Sequence, residues 1–600
     1  MVVDVLVIYL SIVIAFLAQF DSQMLIREIS RQGVSLILIA LSYLAFFNYF
    51  RLYERVWQYA SLDVAIDIVK AATLGIFSLI IIQYLLKGAV FPRSVIILTW
   101  LLTIFLTGGT RLSLRVLSQR LKIRRQTSQK AGRSRQVLII GAGEAGEMVL
   151  SGMQKHPELG YHPIGLIDDN PKKQGVYLHG VRVLGTRAEL QKILAEDNID
   201  EVIIAMPAAS GTVVRDILNR CEEFEVRTKI VPGLPEIIYG FADLKDIRDV
   251  EVEDLLRREP TKINLEEVSR YLSQQRVLVT GAGGSIGSEI CRQIVGFNPA
   301  KLILLDHDEN SIFEMGMELP DLDLTSFLIA DIKDEKKLRQ IFESYRPDIV
   351  FHAAAHKHVP LMEENGPEAV KNNIRGTKLL AQIADEFGVK KFIFISTDKA
   401  VNPVNVMGAS KRVGELIMQL MGRESSCKFV SVRFGNVLAS QGSVTSVFQK
   451  QIKAGGPVTI THPQMKRYFM TISEAVQLVI QAGALGEGGE TFILDMGEPI
   501  RIVDLAKDLI RLSGFKPEED IKIKFSGIRA GEKLEERLLS EDEEAVVTNH
   551  QKILVTRPEN NLSRKIFFKQ IEELEELASK EDVFGLKSKL AEIVPTYKPE

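Results

Sequence analysis

Six hundred residues are too many for one hydrophobic core, and domains of about 150 residues predict three or four units. With 74 basic against 77 acidic residues, the chain has no global field suited to a nucleic-acid partner. Cys221, Cys291 and Cys427 stand far apart and form no C-x-x-C, which argues against a disulfide framework or a thiolate zinc site and fits a reducing compartment.

Four apolar stretches open the chain, at 2–20, 34–50, 71–86 and 95–109. Each approaches the roughly 20 residues that cross a bilayer, the third and fourth with help from their flanks or a thinned bilayer. Together they predict a four-helix transmembrane anchor over 1–110. The N-terminus has neither a basic region nor a small-residue cleavage site, so no cleaved signal peptide is expected. Residues 111–135 then hold nine Lys/Arg and no acid. By the positive-inside rule this linker is cytoplasmic, where it would also attract anionic headgroups, and four spans leave both termini on that side. Charges inside the stretches are nearly absent, which points to an anchor in the lipid bilayer and away from a transport path.

The soluble part starts with Q-V-L-I-I-G-A-G-E-A-G-E, a strand running into Gly141, Gly143 and Gly146. This spacing lets amides at a helix start approach a pyrophosphate. Asp168, in I-G-L-I-D-D, stands at a distance suited to a ribose contact. Residues 136–235 alternate strand and helix patterns, including E-V-I-I-A-M-P, but contain no acid–base cluster. This Rossmann-like domain therefore reads either as a second nucleotide site or as a structural or regulatory module.

A connector of mixed polarity fills 236–273, and R-V-L-V-T-G-A-G-G-S-I-G-S-E-I opens a second dinucleotide pattern in 274–600. T-G-x-x-G-x-x-G places Gly281, Gly284 and Gly287 around Ser285 and Ile286, with a strand before and a helix after. Asp306 ends L-I-L-L-D; its carboxylate would accept from ribose hydroxyls and repel a 2′-phosphate, which favours NAD over NADP. Asp331 closes S-F-L-I-A-D just before Ile332. In D-I-V-F-H-A-A-A-H-K-H, the small side chains of Ala353, Ala354 and Ala355 let backbone pass close to a cofactor. His352, His356 and His358 have no accompanying carboxylate motif, and no metal is expected there.

The chain centres on residues 396–411, S-T-D-K-A-V-N-P-V-N-V-M-G-A-S-K. They follow K-F-I-F-I, which reads as a buried strand, so Thr397, Asp398 and Lys399 stand where ligands collect in an open parallel sheet. A hydroxyl, a carboxyl and an amine in succession look like acid–base equipment. They can share a substrate only if the backbone turns out of the strand there, because side chains alternate along it. Met407 and Lys411 fall on one face of a following helix at i, i+4.

This arrangement resembles the extended short-chain dehydrogenase/reductase class, whose helix normally carries Y-x-x-x-K, and within it the nucleotide-sugar 4,6-dehydratases with a T-D-K triplet. Met407 stands in place of the tyrosine, as in the large membrane-bound UDP-N-acetylglucosamine 4,6-dehydratases of bacterial polysaccharide and glycan synthesis. The resemblance implies an α/β protein, with four N-terminal transmembrane helices and two Rossmann-like domains, the second carrying a smaller C-terminal substrate lobe. It also implies bound NAD, UDP-N-acetylglucosamine as substrate, a multi-pass place in the bacterial inner membrane with the catalytic domains cytoplasmic, and a homo-oligomer, a dimer paired through the catalytic domain. Removal of water proceeds without net redox change, through a 4-ketone that acidifies the C5 proton, with the Met-bearing subgroup suggesting retention at C5.

By the same resemblance Asp331 contacts adenine, Lys357 and His358 line the sugar pocket, and Asn373 is a structural hydrogen-bonder beside the nicotinamide. Asn436 and the Gly442–Ser443 backbone hold the diphosphate, Arg467 and Arg529 clamp it, and Glu532 accepts from the uridine ribose. Lys399 is the candidate base at C5 and must be neutral to act, a form favoured by a closed pocket and the nearby Lys411 cation. Asp398 is the candidate acid for the C6 hydroxyl, kept protonated by partial desolvation. Thr397 orients the 4-hydroxyl and Lys411 holds the nicotinamide ribose. A thioether takes no proton, so the 4-hydroxyl proton leaves through Asp398, through Thr397 and water, or through Lys411. The other readings are a UDP-hexose 4-epimerase, a membrane-anchored sugar-phosphate transferase and a non-catalytic scaffold. The tail from about 552 reads as helical and offers no chemistry.

Overall fold

The computed structural model of the chain describes residues 2–20, 33–50, 52–53, 62–86, 92–127, 134–231, 247–256, 263–319, 323–556 and 563–598. Parts of the basic linker (128–133) and of the connector (236–246 and 257–262) lie outside them. Two compact units result, residues 1–136 with 151–163, and 137–150 with 164–600.

In the first unit the apolar stretches form helices α1 (Val2–Leu17), α2 (Gly33–Tyr49), α3 (Leu62–Leu86) and α4 (Arg93–Thr127). Ile8, Ile12, Phe16, Tyr43, Phe47, Ala71 and Val95 form their shared core. Asp4 and Arg111 pair at 3.4 Å inside it, with the Arg111 guanidinium over the Phe47 ring. The expected four spans are corrected here. Among the described residues one helical segment, Arg93–Arg111, is long and apolar enough to cross a membrane. At 1.5 Å per residue α1 and α2, with 16 and 17 residues, fall short of a core about 30 Å thick, and Asp63, Asp67 and Lys70 dilute the start of α3. The basic segment also differs from a linker, because α4 continues through it to Thr127.

The second unit holds two mainly parallel sheets. The first comprises β1 (Arg135–Ile140), β2 (Tyr161–Ile167), β3 (Tyr177–Leu178), β4 (Val181–Gly185), β5 (Glu201–Ile204), β6 (Arg227–Ile230) and β7 (Arg248–Asp249), in the order β3-β4-β2-β1-β5-β6-β7.

The second sheet begins with β8 (Arg276–Thr280), β9 (Lys301–Asp306), β10 (Thr325–Ile329), β11 (Ile349–His352), β12 (Lys391–Ile395) and β13 (Lys428–Arg433). It is completed by β14 (Thr491–Leu494), β15 (Ala545–Val547) and β16 (Ile553–Thr556), in the order β10-β9-β8-β11-β12-β13-β14-β16-β15. The apolar runs of β8, β11 and β12 are buried, as strands covered on both faces must be. The order reverses between β8 and β11, which opens a crevice at their carboxyl ends. The β-branched I-L-V-T of the expected helical tail instead forms β16, antiparallel to β14, and helix begins at Arg564.

Phe448, Ile452, Val458, Leu505 and Ile510 make a separate core for the substrate lobe. That lobe meets the first sheet's domain through an Arg215–Asp508 ion pair at 2.9 Å. The helices Arg564–Ser579 and Val583–Ile593 place Phe567, Leu574 and Leu590 in the core that also holds Met407.

Candidate active site

Two glycines explain how the crevice stays open. Gly281 has φ +68°, and a Cβ there would meet Ala354 N at 2.6 Å; a Cβ on Gly287 would meet Gly281 O at 2.0 Å. The backbone therefore turns tightly enough to leave its amides facing a ligand. A cavity of about 290 Å³ lies beside it, lined by Gly281, Gly284, Asp306, Asp331, Ile332, Ala353 and Ala354. Asp306 Oδ2 accepts from Gly283 N at 3.0 Å and Oδ1 from Asp308 N at 3.1 Å, so the acid is tied to the turn it would serve. Asp331 accepts from Lys333 N.

A larger cavity of about 810 Å³ shares Gly281, Gly284, Ala353 and Gln441 with it. Of the residues singled out in the sequence, Ser285, Ile286, Gly287, Lys357, His358, Thr397, Lys399, Met407, Lys411, Asn436, Ser443, Arg467, Arg529 and Glu532 line it. The structure does not bring Gly141, Gly143, Gly146 and Asp168 to either cavity; the glycines follow β1 and Asp168 follows β2, where its Oδ2 accepts from Ala142 N at 2.9 Å and from Lys173 Nζ at 3.0 Å.

After β12 the chain leaves the sheet in a short turn, Asp398–Ala400, whose start Thr397 caps. Thr397 Oγ1 donates to Asp398 Oδ1 at 2.9 Å, and Lys399 Nζ donates to the same oxygen at 2.9 Å and to Asn436 Oδ1 at 3.1 Å. Asp398 itself is fully buried and lines neither cavity, and among the described residues its Oδ2 has no hydrogen-bond partner. A carboxyl in that position can exchange a proton with Lys399 but reaches the cavity only through Lys399 and Thr397.

The helix Val406–Glu424 supplies the adjoining wall, packed so closely that a Cβ on Gly408 would lie 2.2 Å from Lys399 O. Asn405 caps it by accepting from Gly408 N at 2.7 Å. Its first turn is fastened to the loop after β11 by Asn373, which accepts from His356 N and donates to His356 O and to Ser410 Oγ. Lys411 lies with its ammonium 4.0 Å from the centre of the Phe394 ring. Burial lowers its pKa to about 7, with Glu415 opposing the shift. His352 is buried under this wall between the hydroxyls of Thr280 (2.7 Å) and Thr377 (2.9 Å), and burial followed by the Lys411 charge pushes its pKa to about 3. A neutral imidazole bonded at both nitrogens is a structural part.

Two residues are employed differently from expectation. The Arg467 guanidinium donates to the carbonyls of Lys466, Lys533 and Leu534 at 2.7–3.1 Å, so it braces the segment that carries Arg529 and Glu532 while lining the cavity. Lys357 donates to Gln441 O at 2.8 Å, and burial lowers its pKa.

The sequence reading missed a buried ionic network behind the site. Glu415 accepts from Ser396 Oγ (2.6 Å), Arg433 (2.8 and 3.0 Å) and Arg412 (2.9 Å), and Arg433 also binds Glu543 at 2.7 Å. Burial alone would raise the Glu415 carboxyl, but Arg433 and Arg412 hold it at about 2. The available signals were Glu415 four residues after Lys411 and three after Arg412; its other partners, Ser396 and Arg433, lie 19 and 18 residues away and no spacing announces them.

Comparison with known proteins decides the family. The chain is 44% identical over 517 residues to the capsular polysaccharide biosynthesis protein CapD of Staphylococcus aureus, covering 85% of each. It belongs to the polysaccharide biosynthesis protein family. The family model described as polysaccharide biosynthesis protein matches residues 277–558, and one described as CoA-binding domain matches 50–232. Two further relatives resemble the catalytic half. A UDP-N-acetylglucosamine 4,6-dehydratase (inverting) of Campylobacter jejuni is 34% identical over 277 residues, 45% of this chain and 79% of that one. A UDP-glucose 4-epimerase of Rickettsia canadensis is 36% identical over 276 residues, again 45% and 79%. The second sheet and its crevice have the Rossmann-like fold of the short-chain dehydrogenase/reductase class.

Proposed function

We propose that the protein is a membrane-attached, NAD-dependent UDP-N-acetylglucosamine 4,6-dehydratase, making a UDP-4-keto-6-deoxy-N-acetylhexosamine for polysaccharide or protein-glycan synthesis with retention at C5. The observation that carries this reading is that Thr397 and Lys399, both bonded to the buried Asp398, line one cavity together with Met407 and Lys411. A 4-epimerase has no use for a separate acid and base directed at C6 and C5, so the cluster favours dehydration.

The residues present fit the cofactor. A Cβ would fill the turn at Gly281 and Gly287, and Asp306 stands where an unphosphorylated ribose would be held. Bound there, NAD would accept a hydride from C4 of the sugar and return it to C6.

Lys399 would take the C5 proton. Its 2.9 Å contact with Asp398 gives that proton a direct route to a carboxyl, and the departing C6 hydroxyl would be protonated from the same pair. Thr397 would orient the sugar, with Asn436 and Ser443 at the diphosphate. Arg529 suits a diphosphate oxygen pair because its fork makes two hydrogen bonds. Attachment to lipid rests on the segment Arg93–Arg111 and on large apolar side chains exposed around the first unit, Leu6 at 65% and Phe105 at 75% among them. The Lys/Arg-rich continuation of α4 would meet anionic headgroups.

Asp398→Asn and Lys399→Met each lose dehydration by about 10²–10⁴-fold and keep bound NAD, the range that general acid–base groups supply. Turnover by steady-state assay and nucleotide release on denaturation measure the two quantities. Full activity in either variant overturns these roles.

A further inference from the structure

Met407 leaves the wall of the cavity without the hydroxyl that would take the sugar's 4-hydroxyl proton, and the neighbouring groups differ in their freedom to accept it. Thr397 is an alcohol that already donates to Asp398. Asp398 lines neither cavity, and its Oδ1 is occupied by Thr397 and Lys399. Lys399 is held between Asp398 and Asn436 and is engaged at C5. Lys411 is 7% exposed, lines the cavity one helical turn from Met407, and among the described residues its amine has no hydrogen-bond or ion-pair partner. The nearest carboxylate on its helix, Glu415, is spent on Arg433, Arg412 and Ser396.

We propose that Lys411 is the proton acceptor for the sugar 4-hydroxyl, replacing the tyrosine that Met407 displaces. This rests on the dehydratase reading. The O–H bond would break as its proton passes to the Lys411 lone pair while C4–O becomes a carbonyl, the C4–H electron pair being the hydride that bound oxidised NAD would take up. The resulting ammonium is received by the Phe394 ring face and by the Glu415 charge beyond it. The proton gained is balanced within the turnover by the one that the Asp398–Lys399 pair returns to C5 as hydride reaches C6, the proton first taken from C5 having left with water, once solvent carries it across.

The environment poises the amine for this exchange. Desolvation brings it to about 7, where neutral and charged forms coexist near neutrality. Its helix, which also carries Arg412, packs against the turn with Asp398 and Lys399 and against β13 with Arg433; His352 from β11 and Glu415 on its own helix interact with its charge. The π-helical turn Val370–Gly376 presents neutral Asn372 and Asn373. His352 and Glu415, at about 3 and about 2, hold one form throughout the neutral range. In the cavity, burial holds His356 and His358 below the ordinary histidine value and also lowers Lys357. A pH profile therefore needs the Lys411→Arg comparison beside it.

The test has two arms. In the first, stopped-flow absorbance follows NAD reduction when UDP-N-acetylglucosamine meets wild type, Lys411→Arg and, as control, Lys399→Met. Arginine keeps the cation and gives up the base. We expect the hydride step in Lys411→Arg to slow by about 10²-fold or more with unchanged nucleotide content, and to survive in Lys399→Met. In wild type it rises with pH around 7.

In the second arm, trace acetylation of cofactor-free wild type at graded pH, read by peptide mass spectrometry, should give half-titration of Lys411 near 7. A Lys411→Arg rate within about tenfold of wild type overturns the proposal, as does half-titration near the ordinary value of about 10.4. If wild type reduces no NAD with any UDP-N-acetylhexosamine, the dehydratase reading falls instead, and the acetylation arm still decides the chemistry of the amine. If Lys411→Arg does not fold, that arm and the wild-type pH profile carry the decision.

Discussion

Gly146 after β1 and Gly287 after β8 sit in equivalent turns: a Cβ on either would lie 1.9 or 2.0 Å from the carbonyl oxygen of Gly141 or Gly281. The acids differ in their company. Asp168 is bound by Lys173, whose amine also donates to Ala142 O inside the first glycine turn. Among the described residues Asp306 is tied to backbone amides and to His307, and the turn beside it opens on two cavities. A glycine turn thus fixes where a phosphate can approach; the groups brought to it by the following strands decide what happens there. In the second sheet β12 and β13 bring Lys399 and Asn436 together, whereas β5 of the first sheet ends in Ala205 and Met206.

The largest effect that would sharpen this contrast is at Gly287. Gly287→Ala drives a Cβ into Gly281 O, and nucleotide content and turnover should both drop by about 10²-fold or more, since a 1 Å displacement of the reacting geometry has that scale. An alanine variant that retains its nucleotide would show that this turn does not hold the cofactor.

Next comes the buried network of the second sheet. Arg433→Met leaves Glu543 and the buried Glu415 with Arg412 as their one remaining guanidinium among the described residues and should destabilise the fold by about 3–5 kcal/mol in denaturant titration. The folded Glu415 carboxyl lies below its unfolded value of about 4.3. Its stabilisation is therefore present above that pH and is lost as pH falls toward about 2. An unchanged midpoint in Arg433→Met would remove the network from the account. The smallest effect is at Lys173: Lys173→Met leaves Asp168 with its backbone amide donors and should leave turnover of the UDP-sugar within about twofold, because substitutions away from a site's chemistry stay within about 0.5 kcal/mol. A large loss there would tie the first sheet's turn to catalysis and erase the contrast.

What the sequence made legible follows from local pattern. K-F-I-F-I, the two glycine turns and the M-x-x-x-K face depend on residues near one another, and β12, both turns and the helix Val406–Glu424 form where those patterns stand. The Asp398 side chain shows the limit. Its type and position suggested a cavity acid, but the turn Asp398–Ala400 buries it behind Lys399, a consequence of backbone geometry that no spacing encodes. The family resemblance assigns Arg467 to the diphosphate because its place in the chain matches; here three carbonyls of its own neighbourhood hold it. Arg433 was invisible for the opposite reason, since a buried arginine in a strand looks like any surface charge until its partners on distant elements are known. The four apolar stretches were legible as helices, and their length against the bilayer was not.

The most direct measurement is proton NMR of UDP-N-acetylglucosamine incubated with the detergent-solubilised protein in deuterated water. The account predicts a 4-keto-6-deoxy product carrying deuterium at C5, with couplings that report retention. Formation of the 4-epimer without deuterium would contradict it, leaving the scaffold in place and removing the acid–base roles of Asp398 and Lys399.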